Sequence, residues 1–233
     1  MIKNIIAKMK NFVLRGNRFF CPLCEKSFRK FHTYGINPRP NARCPECGSL
    51  ERHRLLWLAI INLQEKGIIQ RGGCLLHVAP EKCLRQKFIR QYDYTSIDLD
   101  GKKAMIAMDI TRIDFEDDYF DAIVCNHVLE HVPDDRRAIN ELYRVLKPGG
   151  WASIQVPILG NVTDEDLSVT NPNERLRLYG KEDHVRHYGI DFIDRIQDSG
   201  FKVLLISKND LLETGELETI SVACEKEVIL CRK

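Results

Sequence analysis

No stretch of the 233-residue chain approaches the roughly 18–20 uninterrupted apolar residues that a membrane-spanning helix needs. The opening stretch, Met1 to Phe20, threads Lys3, Lys8, Lys10, Arg15 and Arg18 through its apolar residues. It therefore lacks the clean apolar centre and small-residue cleavage site of a secretory signal. Glycine (14) and proline (9) are too few for a collagen-like or low-complexity chain, and 44% hydrophobic residues are too many for a disordered one. These absences lead to the expectation of a soluble, cytoplasmic protein with no membrane partner. The length accommodates one large domain, or a domain of about 150–180 residues with a small module attached.

Charge is not absent but unevenly placed. The net charge of +2 divides into +10 over residues 1–71 and −8 over the remainder. A basic front and an acidic back mark two units. The front suits an anionic partner, or its Lys and Arg simply solvate a small module with few other polar residues.

Nine cysteines are an odd number and do not read as a disulfide framework. Cys74, Cys83, Cys125, Cys224 and Cys231 lie in apolar or strand-like surroundings, where free cysteine behaves as a small buried hydrophobe. The other four form two tight pairs, Cys21-Pro22-Leu23-Cys24 and Cys44-Pro45-Glu46-Cys47-Gly48, with 19 residues between them. Two intervening residues let a turn aim both sulfurs at one ion, and Pro and Gly suit such turns. Four thiolates closing on one tetrahedral Zn2+ is the reading this spacing favours. A thioredoxin-like redox pair would need only one such motif and a strand before it. With four protein ligands the ion has no open position, so its role is structural. Residues 1–50 are thus expected to form a basic segment and zinc ribbon, with Ser27 to Phe31 supplying a strand and apolar packing.

From Ser49 the pattern changes. Leu55, Leu56, Leu58, Ala59, Ile60, Ile61 and Leu63 describe a helix buried along much of its length, with Ser49 as N-cap and Gly67 as stop. Residues 51–71 are therefore read as a connecting helix. Beyond it, short apolar runs alternate with helical stretches, the signature of a parallel sheet wrapped by helices. Strands are expected at Cys74–Ala79, Tyr94–Asp98, Met105–Asp109, Ala122–Asn126, Trp151–Pro157 and Lys202–Ser207, with a last one between Thr219 and Cys231. The clearest helices are Glu81–Gln91, Asp134–Leu146 and Gly189–Ser199.

Two stretches here carry a resemblance. The segment from Asp109 through Phe120-Asp121 and Asn126-His127-Val128-Leu129-Glu130-His131, and the turn Arg144-Val145-Leu146-Lys147-Pro148-Gly149-Gly150, resemble the middle of a class I, type 11-like S-adenosylmethionine-dependent methyltransferase. The resemblance covers residues 72–233. The cysteine-rich front running into Ser49-Leu50-Glu51-Arg52-His53-Arg54 resembles bacterial methyltransferases with an N-terminal zinc ribbon. The resemblance implies an α/β fold, a doubly wound, mostly parallel seven-stranded sheet with ligands beyond the carboxyl ends of its strands. It implies S-adenosyl-L-methionine as cofactor. Asp98 would accept the ribose hydroxyls, Asp109 and the amide of Ile110 would read the adenine edge, and Asn126, His127 and Leu129 would face the methionine portion.

One loop departs from the family. After the first strand the family places an acid and then a glycine-rich turn. This chain has His77-Val78-Ala79-Pro80-Glu81 and no glycine. Ala79 is small, Pro80 suits the first turn of a helix, and Glu81 stands where it would take over the contact to the cofactor's ammonium group.

The segment Ile158 to Gly189 is too long for a simple connection. It ends in a run dense in titratable and cationic groups, Arg177 through Asp183, His184, Arg186 and His187. Asp183 or His184 is read as taking the acceptor's proton, with Arg186 and Arg177 holding an acidic group, or the whole as a lid held by its own bonds. His127 and His131 read as pocket wall or helix-start residues rather than bases. Arg52, His53 and Arg54 either meet substrate or join the two units. No Asn/Asp-Pro-Pro-aromatic motif follows the fourth strand, and Cys125 lacks a preceding proline, which leaves oxygen or an ordinary amine as the acceptor. The leading reading is methylation of a small-molecule or glycan-like acceptor. One alternative is RNA methylation with the basic front as grip. Another is a non-catalytic binding protein with a degenerate glycine loop.

Overall fold

The computed structural model describes residues 13–222 and 227–233; the readings on residues 1–12 and on Cys224 lie outside them. The described chain divides into two compact units, and neither is contiguous. One comprises the chain up to Gln70 with Glu81–Arg90 and Ile206–Val228; the other comprises Arg71–Pro80, Gln91–Leu205 and Ile229–Lys233. The sequence predicts three consecutive stretches, 1–50, 51–71 and 72–233.

The first unit opens with two antiparallel hairpins. β1 (Arg15–Cys21) pairs with β2 (Lys26–Phe28), and β3 (His32–Tyr34) with β4 (Arg39–Arg43). Its small core is aromatic: Phe28 and Phe31 are fully buried, and Phe31 stacks against Phe19 and Phe28 at 5.5 and 5.8 Å. α1 (Glu51–Glu65) follows. Its N-cap is Leu50, not Ser49: the Leu50 amide donates to His53 Nδ1, while the Ser49 hydroxyl lies 3.3 Å from the sulfurs of Cys21 and Cys47. Gly67 ends the helix as expected, at φ +67°.

In the second unit, β5 (Cys74–Val78) lies between β6 (Asp93–Asp98) and β8 (Phe120–Asn126), parallel to both. β7 (Ile106–Ala107) closes one edge, parallel to β6. On the other side β9 (Leu146–Gln155) runs parallel to β8. β13 (Glu227–Arg232) is antiparallel to β9 and lies between it and β12 (Lys202–Ser207), giving the order β12-β13-β9-β8-β5-β6-β7. The seven-stranded, mostly parallel sheet is therefore as expected. Leu75 to Val78 and Ala122 to Asn126 are all buried, as central strands covered on both faces must be. α3 (Asp135–Val145) buries Ala138, Ile139, Leu142 and Val145 on one stripe, and Asp134 caps it by accepting from the Arg137 amide at 3.0 Å. Each such buried Leu or Ile contributes about 1.5–3 kcal/mol to the core, which also gathers Leu76, Ile97, Ile123 and Ile154.

Two strand limits differ from expectation. β9 begins at Leu146, ahead of the Pro-Gly-Gly turn, with a bulge opposite Asp121. β7 stops at Ala107, so Asp109 lies two residues past its end. The segment after β9 has structure of its own: β10 (Asp164–Glu165), α4 (Pro172–Tyr179) and β11 (Arg186–His187). Asn171 caps α4 by accepting from the Asn173 and Glu174 amides, Pro172 starts it, and Gly180 closes it at φ +73°. α5 (Phe192–Asp198) completes this unit. The first unit also holds α2 (Lys82–Phe88), α6 (Lys208–Leu211) and α7 (Thr214–Ile220).

Candidate active site

Parallel strands bring their carboxyl ends to one edge of a sheet, and here that edge collects Ala79 after β5, Asp98 at the end of β6, Met108 to Ile110 past β7, and Asn126-His127 after β8. Backbone bonds pin the exits: the Ala79 amide donates to the Ile97 carbonyl (2.8 Å), Met108 to Asp98 (3.0 Å) and His127 to Gln155 (2.7 Å). Ala79 and His127, leaving neighbouring strands, both sit in the left-handed region at φ +47° and +54°. Each costs about 1–2 kcal/mol, and such outliers gather where a ligand is cradled. Ala79 thus takes the backbone shape a glycine usually supplies, and Pro80 follows it directly.

Asp98 accepts from the Asp100 amide through Oδ1 at 2.8 Å, and its other oxygen has no partner among the described residues. Asp109 receives the amide and hydroxyl of Thr111, both at 2.8 Å, beside the buried Ile110. Asn126 is buried with its Oδ1 accepting from Ser153. His77 is buried within β5 with Nδ1 3.1 Å from the Tyr94 hydroxyl. Glu81 belongs to the first unit, where its Oε1 lies 3.6 Å from His53 Nε2.

Next to β8 a short turn, Leu129–His131, is joined to the segment 183–188. Glu130 is buried, with Oε1 3.3 Å from His127 Nδ1 and Oε2 without a partner among the described residues. Burial works to raise its carboxyl, but His127 and His131 outweigh it and hold the group below the usual carboxylate range. His131 Nδ1 lies 3.2 Å from both the carbonyl and a carboxylate oxygen of the exposed Asp183. The His131 and His184 rings meet edge to face at 4.7 Å. His184 is buried with neither nitrogen paired, and burial, then His131, push its imidazole down to about 4.

Arg186 requires a correction. It was expected to hold an acidic group of the substrate, but its guanidinium donates to Glu165 and to the carbonyls of Leu129, Val132 and Pro133. Buried and saturated, it staples β11 to the turn that carries Glu130 and His131. Tyr188 extends the staple, donating to Asp135 at 2.7 Å, and Arg195 bridges Asp135 and Glu165. None of Glu130, Asp135, Glu165, Tyr188 or Arg195 was singled out from sequence. Only Glu130 carried a readable signal, a carboxylate between His127 and His131.

In the first unit the sulfurs of Cys21 and Cys47 are 3.6 Å apart, those of Cys24 and Cys44 3.7 Å, and all four fall within 4.8 Å of one another. Gly48 turns back at φ +72°, its amide on the Cys44 carbonyl. Four thiolates held this close repel one another, so a full set of them requires a cation at their centre. Arg54 lies close by, wholly buried, each of its three side-chain nitrogens donating to the carbonyls of Ala42, Ser49, Ile220 or Ser221. It is a strut of this unit rather than a substrate contact.

Among the described residues no helix is long and apolar enough to cross a membrane. A family model described as a methyltransferase domain matches residues 78–154. The sterol 24-C-methyltransferase of Kluyveromyces lactis is 29% identical over 122 residues, 51% of this chain and 31% of that protein. A ubiquinone/menaquinone biosynthesis C-methyltransferase of Brucella canis is 28% identical over 42% of this chain and 35% of its own. The chain thus spans about a third of the length of these curated relatives. A SAM-dependent methyltransferase from Archaeoglobus fulgidus superposes with a TM-score of 0.51 at 11% identity, over 81% of this chain and 96% of that one. The sheet order, the antiparallel strand beside β9 and the matched domain make this the fold of class I methyltransferases.

Proposed function

We propose that the chain is an S-adenosylmethionine-dependent methyltransferase acting on an oxygen or amine of a small-molecule or glycan-like acceptor, with a structural zinc held by Cys21, Cys24, Cys44 and Cys47. The observation that carries the activity is the convergence at one sheet edge of two left-handed strand exits, Ala79 and His127, with an Asp98 carboxylate oxygen left unpartnered. In this reading Ala79 and Pro80 let backbone approach the cofactor, Asp98 holds its ribose, Asp109 and Ile110 border its adenine, and Asn126, His127 and Leu129 line its methionine end. When bound, S-adenosylmethionine supplies an electrophilic methyl group. The chain's part is to exclude water and hold the acceptor in line at about 3–3.5 Å. Asp183, His131 and His184 lie at the exit of β8 and would handle the acceptor; an imidazole pushed down to about 4 is uncharged at neutral pH.

The zinc assignment rests on the sulfur spacing. Tetrahedral Zn2+ with bonds of about 2.3 Å sets its sulfurs roughly 3.7 Å apart, as the two closest pairs here are. The ion with four thiolates carries net negative charge, which offsets the buried Arg54. In the first unit, Lys26 and Lys87 are paired with Glu46 and Glu25, which speaks against a continuous basic surface for RNA.

Calorimetric titration with S-adenosylhomocysteine tests the cofactor site. Asp98→Ala is expected to weaken binding about 10- to 100-fold, the worth of a charge-assisted pair of hydrogen bonds, with unchanged circular dichroism. Equal affinity in native protein and variant would reject the placement, and no binding by the native protein would favour a non-catalytic role.

A further inference from the structure

We propose that Glu130, His131 and His184 form a second metal site, taking a divalent transition ion such as Zn2+ through one carboxylate and two imidazoles. The ligand atoms of the three residues lie within 4.8 Å of one another. What sets the cluster apart from a chance grouping is its unmet bonding. Glu130 is 1% exposed with Oε2 unpaired, and His184 is 6% exposed with both ring nitrogens unpaired, among the described residues. Buried polar atoms without partners each cost about 1–3 kcal/mol. Three in one place, on side chains facing one another, mark a position where a ligand belongs.

The chemistry of the donors agrees. Imidazole and carboxylate together suit Zn2+ and its late first-row neighbours rather than Ca2+ or Mg2+, whose shells are oxygen. A ligating histidine normally donates its other ring N–H to a carboxylate or carbonyl, which fixes the ring. Asp183 offers both to His131 Nδ1, at 3.2 Å each, which leaves Nε2 for the ion. The scaffold is rigid where it needs to be. The Val185 amide donates to the Glu130 carbonyl at 2.9 Å, and the Arg186 staple ties the two ligand-bearing segments together from the other side. Three protein ligands leave a coordination position open. The site therefore differs from the four-cysteine site in kind, and suits an acceptor oxygen or a water. In this arrangement His184 is a ligand and not a free base.

The site rests on this geometry and is independent of whether methyl transfer is the activity, although it lies where that reading puts the acceptor. The test is metal content and Co2+ titration of the intact protein, followed by visible absorption. Thiolate-bound Co2+ has an intense near-ultraviolet charge-transfer band that nitrogen and oxygen ligands do not give. After dialysis against Zn2+, native protein should hold about two equivalents, and His184→Gln and Glu130→Gln about one. Cys44→Ser/Cys47→Ser should lose the equivalent that shows the thiolate band and keep the other. Because a buried substitution can disturb folding, His131→Gln, on a partly exposed ring, provides the second variant; it should lower affinity for the second equivalent at least about tenfold. A single equivalent in native protein, or full retention of two in His131→Gln and His184→Gln, overturns the proposal. Two equivalents with no binding of S-adenosylhomocysteine would sink the activity reading and leave the metal site standing.

Discussion

At Arg54 a full positive charge is buried without a single carboxylate bonded to it. Its donors run instead to four main-chain carbonyls, two of them at Ile220 and Ser221, some 166 residues along the chain. Burial pulls the guanidinium down from its ordinary value; Cys21, Glu51, Cys44 and Cys47 pull it back up. The residue therefore draws its compensating charge from the cysteine site and Glu51, and gives the surrounding carbonyls a side-chain donor. Arg54→Ala removes a donor from the carbonyls of Ala42, Ile220 and Ser221 and one of the two on Ser49, which also accepts from the Cys44 amide, and the loss should be about 3–5 kcal/mol. Arg54→Lys should recover little of it, because one ammonium has three donors and no planar fork. Urea unfolding with parallel zinc analysis checks both; a loss below about 1 kcal/mol in either variant would show that Arg54 is dispensable. The same scale explains Ala79. A methyl group is the smallest side chain that can be forced to positive φ, so the loop does without a glycine at a modest energetic cost.

Among the elements, the segment between β9 and α5 shows where sequence reading stopped. The two Cys-x-x-Cys pairs, the strands β5, β6 and β8 and the amphipathic α3 were legible because spacing and periodicity are local properties. Asn171-Pro172 and Gly180 were equally local signals of α4, but the apolar face that normally confirms a helix is missing, and only Tyr179 in it is buried. Arg186 was unreadable for another reason. Its partners, Glu165 and the carbonyls of Leu129, Val132 and Pro133, come from segments distant in sequence, and nothing in a run of His, Asp and Arg says which of them faces inward. The resulting network makes a pH prediction. Arg195 and, against the opposing effect of burial, Arg186 hold the Glu165 carboxyl at about 2, with Asp135 beside both cations. An unfolded Glu titrates near about 4.3. The folded form is thus favoured above that value, and the contribution is lost as pH falls from about 4.3 through about 2. Partial exposure of Glu165 screens the pair, so the effect should be about 1–2 kcal/mol. Glu165→Gln should therefore cost that much at pH 6 and converge on the native protein only at about pH 2 and below in parallel thermal melts. An equal deficit at both pH values would mean that the side chain contributes packing and not charge.

For the whole molecule, the chain path is what the sequence concealed. The sequence reads as a zinc ribbon over residues 1–50 that runs straight into the connecting helix 51–71. The structure groups these residues in one compact unit with Glu81–Arg90 and Ile206–Val228. Ser221 donates to the Asn41 carbonyl at 2.8 Å, Lys87 lies over the Trp57 ring at 5.4 Å, and Trp57 meets Phe88 edge to face at 6.1 Å. With zinc held by the four cysteines as proposed above, metal binding and folding of the cysteine-bearing hairpins are one free energy. Stripping the metal should therefore loosen three separate stretches of sequence together. Limited proteolysis of chelator-treated protein, read by mass spectrometry, should cut within residues 13–70, 81–90 and 206–222, while the core strands β5, β8 and β9 stay protected by their two buried faces. Deletion of residues 1–50 should open the last two stretches in the same way and lower solubility. Cuts confined to the first 50 residues would mean that the ribbon is a separable appendage after all and that the later segments hold their place without it.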